Sequence, residues 1–221
     1  EEDLDDVAVV TLTTLEDFFA PQDTDAMAVS YLVPDSPAFP RLHKAALPVL
    51  AEAGSEPLLH WALLDIDNLE HEPWDSKAEA SYALEDALDC LPDALIDSAG
   101  GYTTRAGFRL MWPLDPPLPV SFARSLLTYL SDAVAEPVDP ASLEWTRLMR
   151  LPRAKRDGVV LDPSIEEPPS SLDYRTLPGP TLLKEAPPET EEDHGDAPPE
   201  PCELEWEDLA RAADMRWALL G

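Results

Sequence analysis

Cysteine and long apolar runs are what this chain has least of. Only two cysteines occur among its 221 residues, Cys90 and Cys202, and neither belongs to a CxxC motif or a Cys/His cluster. Isolated cysteines argue against a zinc site and are typical of free thiols in a reducing cytoplasm, which is the location we expect. No run of about 18 apolar residues exists, so the sequence predicts neither a membrane-spanning helix nor a membrane partner.

Lysine and arginine are also scarce, since 15 basic residues stand against 45 acidic ones and the net charge is −30. Taken over the whole chain, this charge argues against a nucleic-acid partner, and it also suits simple solubility or a salty interior. The charge is uneven, however, because residues 41–160 hold 11 of the 15 basic residues and 19 of the 45 acidic ones. Five basic residues lie within the segment 147–156, here called the basic strip: Arg147, Arg150, Arg153, Lys155 and Arg156.

Hydrophobic patterning predicts alternating strands and helices. The apolar run Leu58–Ile66 has strand length and suits a strand buried on both faces, and Ser76 with Glu79 forms a capping box that begins a helix. The predicted strands are 29–33, 58–66, 95–98, 102–112, 145–151 and 159–161, with a tight turn at 99–101, and the predicted helices are 41–53, 76–91 and 122–135. This order predicts an α+β or α/β fold in which helices flank a mixed sheet.

Composition also predicts the domain limits. Residues 1–165 are expected to form one packed domain, in which residues 1–25 are irregular. Residues 166–202 are rich in proline and acid, which is typical of a linker without a packed core. Residues 203–221 regain helical spacing and predict a C-terminal helix. The chain begins Glu1-Glu2-Asp3, without a basic signal-peptide start or a methionine, which suggests an excised domain or a processed chain.

The first candidate site is Asp65-Ile66-Asp67 at the end of the apolar strand. Side chains two residues apart on a strand point to the same face, so the two carboxylates repel each other unless a cation neutralises them. Oxygen ligands of this kind suit Mg²⁺ or Mn²⁺. The alternative is a pair of solvated acids at a strand end.

The second candidate site is the strand that contains Arg105, Gly107 and Arg109. These residues would share one face, and the glycine would leave room for a ligand between two arginines, which bind phosphate well. The other face would carry core residues: Phe108, Leu110 and Trp112. The alternative is a pair of surface arginines on a hairpin.

The third candidate site begins at Asp139, which lies between two prolines and precedes the basic strip. Asp139 could complete a cluster of three carboxylates, and the basic strip could hold phosphates. Charge runs are usually solvated, but basic residues are scarce elsewhere in this chain.

In order and spacing, the Asp-x-Asp strand, the Thr-x-x-Gly-x-Arg strand and the aspartate followed by Arg-x-x-Arg-Leu-Pro resemble the archaeo-eukaryotic primase superfamily. The likeness is to the primase–polymerase domains of phages and mobile elements and covers about residues 25–165. It implies that Asp65, Asp67 and Asp139 are catalytic and hold two Mg²⁺ or Mn²⁺ ions. Arg109 stands where many relatives have a histidine that contacts the incoming nucleotide. The resemblance also implies nucleotide binding by Arg105, Arg109, Arg150 and Lys155, and DNA binding by Arg147, Arg153, Arg156 and Tyr102.

The implied function is a DNA primase or polymerase that adds nucleotides to a 3′-hydroxyl on a single-stranded template, in replication of a phage or mobile element. Its partners would be nucleoside triphosphates, the template, with bases stacking on Tyr102 or Trp145, and a fused or separate helicase. A first alternative is a replication-initiator or nucleotide-binding module that keeps the fold without catalysis. Others are an acidic interaction protein that mimics DNA and a glycosyltransferase that uses Asp-x-Asp.

Overall fold

The computed structural model describes residues 14–32, 47–68 and 72–177, and all structural statements below concern them. The helices are α1 (Leu15–Phe19), α2 (Leu47–Glu52), α3 (Lys77–Asp89), α4 (Asp93–Ile96) and α5 (Ala123–Ala133). The strands are β1 (Met27–Ala28), β2 (Tyr31–Leu32), β3 (Leu58–Asp67), β4 (Gly100–Thr103), β5 (Gly107–Pro119), β6 (Met149–Arg150), β7 (Lys155–Arg156), β8 (Val159–Val160) and β9 (Ile165–Glu166). None of the helices among these residues is long and apolar enough to cross a membrane.

The central sheet has five strands in the order β2-β3-β5-β4-β9, and its helices confirm the predicted α+β class. All its strand pairs are antiparallel, so the predicted mixed sheet is wrong. The reason is the connection after β3. Helices α3 and α4 carry the chain from β3 to β4 and leave a gap of one strand between them. A short turn after β4 then returns the chain as β5, which fills that gap and runs antiparallel to both neighbours.

Strand β3 is buried on both faces, as its continuous apolar run predicts. Ala62, Leu64 and Ile66 join the larger core with helices α3 and α5 on what we call the helix face. Trp61 and Leu63 join a smaller core on the opposite face, together with helix α1, Tyr102 and Met149. Asp65 and Asp67 follow Leu63 by two and four positions and therefore lie on this opposite face, away from α3 and α5.

The predicted hairpin lies elsewhere. The turn falls at residues 104–106 rather than 99–101, and the predicted strand at 95–98 is helix α4, which begins after Pro92. Gly101 lies inside β4, at a position where a Cβ would overlap the carbonyl oxygen of Arg109. This glycine permits close strand packing and does not mark a turn.

Two predicted helices are confirmed with shifted ends. Ser76 caps α3 by accepting a hydrogen bond from the Glu79 backbone nitrogen at 3.2 Å, as the capping box predicts. The helix predicted from residue 122 begins at Ala123, after a 3₁₀ turn over Val120–Phe122. Of the helix predicted at 41–53, residues 41–46 lie outside the described part. Pro48 falls in the first turn of α2, where its missing N–H is not needed. The strand predicted at 145–151 is reduced to β6.

The packed domain extends beyond the predicted limit at residue 165. Strand β9 pairs with β4, and Leu172 exchanges backbone hydrogen bonds with Pro113 and Asp115 beside β5. Leu172, Tyr174 and Leu177 are buried in the larger core. Proline prevents regular structure here but does not prevent an extended chain from burying its few apolar side chains. Residues 178–202 and the predicted C-terminal helix at 203–221 lie outside the described residues.

Candidate functional site

The centre of the candidate site is a contact between adjacent strands. Asp65 of β3 stands directly opposite Arg109 of β5 in the antiparallel register. Arg109 Nε donates to Asp65 Oδ1 at 3.0 Å and Arg109 Nη2 to Asp65 Oδ2 at 3.2 Å. Asp65 is only 6% exposed, so this two-bond clamp neutralises a carboxylate that is nearly removed from water.

Arg109 is held by further contacts on its other side. Its Nη1 donates to the Tyr102 hydroxyl at 3.1 Å and to the Arg150 carbonyl at 3.0 Å. Burial disfavours the charged form, but the contacts with Tyr102 and Asp65 outweigh burial and raise the pKa of Arg109. Four of the five N–H donors of a guanidinium are thereby used inside the protein, so Arg109 has little capacity left for a phosphate.

A second arginine joins Asp65 to Asp139. The Asp139 backbone nitrogen donates to the Asp65 carbonyl oxygen at 2.9 Å, which brings the two residues together. Arg147 Nη1 donates to Asp139 Oδ2 at 2.5 Å, and Arg147 Nη2 donates to Asp65 Oδ2 at 3.3 Å. We call Asp65, Arg109, Asp139 and Arg147 the arginine–carboxylate centre.

The N-terminal segment runs beside the basic strip. Strand β1 pairs with β6, and the backbones of Gln22 and Thr24 bond to those of Arg153 and Lys155. Asp25 accepts from Arg150 Nε at 2.6 Å and from Arg150 Nη2 at 2.9 Å, which lowers the pKa of Asp25. Nothing in the sequence indicates that Asp25 is the partner of Arg150, because Asp25 belongs to no motif and is one of 45 acidic residues.

The structure therefore brings together several predicted site residues from distant parts of the chain. Hydrogen bonds link four of them into one group: Asp65, Arg109, Asp139 and Arg147. The Arg150 carbonyl oxygen accepts a further hydrogen bond from Arg109. Asp67 lies on the same face of β3 as Asp65 and is partly exposed at the strand end.

Two predictions for this region are wrong. Tyr102 is 2% exposed, with its hydroxyl bonded to the Arg150 carbonyl, so its ring cannot stack on a DNA base. Trp145 is likewise buried, edge-on to Tyr31. Gly107 leaves no room for a ligand, because a Cβ there would overlap the Ile66 carbonyl oxygen and lie 2.8 Å from Asp67 Cα. That glycine serves the close approach of β3 and β5.

The basic strip divides into an inner and an outer part. Arg147 and Arg150 form ion pairs with acids of the domain, and Arg153 is half-buried. Lys155 and Arg156 are exposed on β7, which forms a small hairpin with β8 around Asp157 and Gly158. The Asp157 and Gly158 backbones both have positive φ, as a tight two-residue hairpin turn requires. Arg105 is also exposed, in the turn between β4 and β5.

The predicted metal site requires carboxylate oxygens that converge on a shared point. Asp65 and Asp139 instead meet at the Arg147 guanidinium, and both Asp65 oxygens accept from arginine. Within residues 14–32, 47–68 and 72–177, no three His, Cys, Asp or Glu side chains are placed to hold a metal ion. This arrangement does not fit the predicted pair of ions, and the metal role of Asp65, Asp67 and Asp139 stays a prediction.

A cavity of about 220 Å³ lies just beyond β3. Its lining consists of Asn68, Glu72, Pro73, Trp74, Asp75 and Glu79. Three carboxylates and no basic side chain line it, so it is unsuited to a phosphate.

No protein-family model, curated protein or solved structure matches this chain.

Proposed function

We propose that the protein is a primase–polymerase-type domain of DNA replication that binds a nucleoside triphosphate beside a single-stranded template. The supporting observation is the convergence of residues from three separate motifs. Asp65 lies 44 positions before Arg109 and 82 before Arg147, yet all three share one hydrogen-bonded centre with Asp139. The fold therefore gathers residues of all three motifs that carry the resemblance at one place.

The triphosphate would be held mainly by the residues that keep donors available. Arg147 uses two of its five N–H donors in the ion pairs described above, and its side chain is 28% exposed. Arg109 then acts as a positioning residue, because it fixes Asp65 and the Arg150 backbone.

The template would contact the outer part of the basic strip. Lys155 and Arg156 project from an exposed hairpin, where backbone phosphates can reach them. The chain is strongly acidic overall, so we expect weak binding by this hairpin alone and a steep loss of affinity as salt concentration rises. A separate or fused helicase would be expected to supply the remaining affinity for the template.

A second candidate is a replication-initiator or nucleotide-binding module that does not transfer nucleotides. The specific observation that favours it is the double guanidinium contact of Asp65, which engages the carboxylate that would carry a metal ion. Primer synthesis or extension, the catalytic form of the proposal, would require the carboxylates to be released from Arg147. The two forms share a binding site and differ in chemistry alone.

The test measures two properties of the full chain. Calorimetry reports nucleoside triphosphate binding, and an extension assay with a primed single-stranded template and Mn²⁺ or Mg²⁺ reports incorporation. The variant of choice is Asp67→Asn, because Asp67 is partly exposed, whereas changing Asp65 would leave Arg109 unpaired and threaten the fold. Asp132→Asn is the matched control, since Asp132 is exposed on α5, which packs on the helix face.

The outcomes separate the candidates. Incorporation by the wild type and the Asp132 variant, with loss in the Asp67 variant, supports the catalytic form. Triphosphate binding without incorporation in any of the three supports the nucleotide-binding module. Absence of both binding and incorporation in a folded wild-type protein overturns the proposal.

A further inference from the structure

The two carboxylates that the resemblance assigns to metal are bridged by a single side chain. Arg147 places one terminal nitrogen on an oxygen of Asp139 and the other on an oxygen of Asp65. A divalent ion between two aspartates makes the same kind of bridge, with one oxygen taken from each. The guanidinium therefore holds the position in which a bridging cation would neutralise the pair.

The backbone, and not the side chains, brings these carboxylates together. The Asp139 N–H is bonded to the Asp65 carbonyl at 2.9 Å, while the other Asp139 oxygen accepts from the Ala141 N–H at 2.9 Å. That second bond caps the 3₁₀ turn Pro140–Leu143. Because the main chain fixes their proximity, the two negative charges need a cation whether or not a ligand is present.

Within the arginine–carboxylate centre, the charges balance. Asp65 and Asp139 carry two negative charges, and Arg109 and Arg147 carry two positive ones. A guanidinium is not deprotonated at any ordinary pH, so this compensation persists wherever the carboxylates are ionised. A divalent ion entering between Asp65 and Asp139 would have to displace Arg147 or leave excess positive charge beside the nearly buried Arg109.

We propose that Arg147 is a built-in replacement for a metal ion at this centre. Wild-type protein then binds no divalent cation between Asp65 and Asp139, and removing the Arg147 charge opens a divalent-cation site there. This inference goes beyond the proposed function. It agrees with the nucleotide-binding form of that function and excludes the catalytic form unless Arg147 leaves both carboxylates.

The test uses Mn²⁺ as the probe and the full chain as the protein. Electron paramagnetic resonance measures bound Mn²⁺, and thermal unfolding is followed in EDTA and in Mn²⁺. Arg147→Met removes the charge and keeps the length of the side chain, and Arg147→Lys keeps the charge. The double variant Arg147→Met/Asp139→Asn also removes one predicted ligand of the new site.

We expect Arg147→Met to unfold at a lower temperature than wild type in EDTA and to recover stability in Mn²⁺. Its Mn²⁺ affinity should exceed that of wild type and of Arg147→Lys by about tenfold or more, and the double variant should lose this gain. Asp132→Asn in the Arg147→Met background controls for general attraction of Mn²⁺ to an acidic protein, and it should keep the gain.

Mn²⁺ binding by wild type that disappears in Asp139→Asn but not in Asp132→Asn would overturn the proposal. Equal Mn²⁺ affinity in wild type and Arg147→Met would overturn it as well. If Arg147→Met does not fold in EDTA, it is refolded in Mn²⁺. Folding that Mn²⁺ restores supports the metal-replacement role, and a variant that stays unfolded in Mn²⁺ overturns the proposal.

Discussion

Asp65 is the residue on which the centre depends. It is a nearly buried carboxylate that contacts two guanidiniums, and its main-chain carbonyl also receives the Asp139 N–H. A buried ion pair adds little net stability when formed, but the loss of one partner leaves the other charge buried and uncompensated. Asp65 is therefore a structural residue in addition to any role in ligand binding.

This reasoning predicts strong coupling between Asp65 and Arg109. Asp65→Asn and Arg109→Met should each lower the free energy of unfolding by about 3 kcal/mol. The double variant should lose clearly less than the sum of the two, because neither charge then remains without its partner. Urea unfolding of the four proteins measures the coupling.

The exposed pair Asp173–Arg175 is a matched control, since it has the same two-bond geometry at 2.8 and 3.1 Å. Its side chains are 38% and 44% exposed, so the same substitutions there should change the free energy of unfolding by less than about 1 kcal/mol. Equal losses at the buried and exposed pairs would show that burial does not matter at Asp65.

Strands β3 and β5 are the elements that create the centre. Their register sets Asp65 against Arg109 and Asp67 against Gly107. At the second pair the strands come so close that a side chain cannot fit. The Trp74 indole N–H also donates to the Gly107 carbonyl at 3.0 Å. The glycine thus allows the Asp67 end of β3 to stay paired with β5.

Gly107→Ala tests this contact. The added methyl group would overlap the Ile66 carbonyl oxygen and push the strands apart, so we expect a loss of more than about 2 kcal/mol in the free energy of unfolding. Gly54→Ala is the control, because Gly54 has a φ of +70° and no atom near its potential Cβ. Only backbone strain of about 1 kcal/mol applies there, and a similar cost at both glycines would contradict close packing at Gly107.

At this scale, local sequence signals succeeded where they describe a single element. Ser76 and Glu79 mark the start of α3, and the apolar run from Leu58 marks a doubly buried strand. They failed at Gly101, because the same residue type serves a turn or a close strand contact. The choice depends on what packs against the glycine, and that neighbour, Arg109, is not adjacent in sequence.

Across the whole molecule, acidic residues are in large excess, but several partly buried arginines are paired with acids. The net charge is −30, yet the centre and the inner basic strip pair their arginines with acids of the domain. Exposed acidic groups repel each other through water, and salt screens that repulsion far more than it weakens the nearly buried contacts of Asp65.

We therefore expect the unfolding temperature to rise as KCl increases from about 0.05 M to about 0.5 M, because screening relieves the repulsion between exposed acids. Differential scanning calorimetry of the wild-type chain measures this. Replacing KCl by sucrose at equal osmolality is the control and should not reproduce the low-salt part of the rise. An unfolding temperature that falls with KCl would mean that attractive surface ion pairs dominate.

The α+β class, the position of β3, the capped start of α3 and the candidate site residues Asp65, Arg109 and Asp139 could all be predicted from the amino-acid sequence. These follow from local periodicity, capping chemistry and motif spacing, which a chain carries without knowledge of its long-range contacts. Three features became visible only in the folded chain: Arg109 binds Asp65 through two hydrogen bonds, Tyr102 is buried, and Arg147 bridges Asp65 to Asp139. Strand register and side-chain packing join residues many positions apart, and these long-range contacts determine which charges meet.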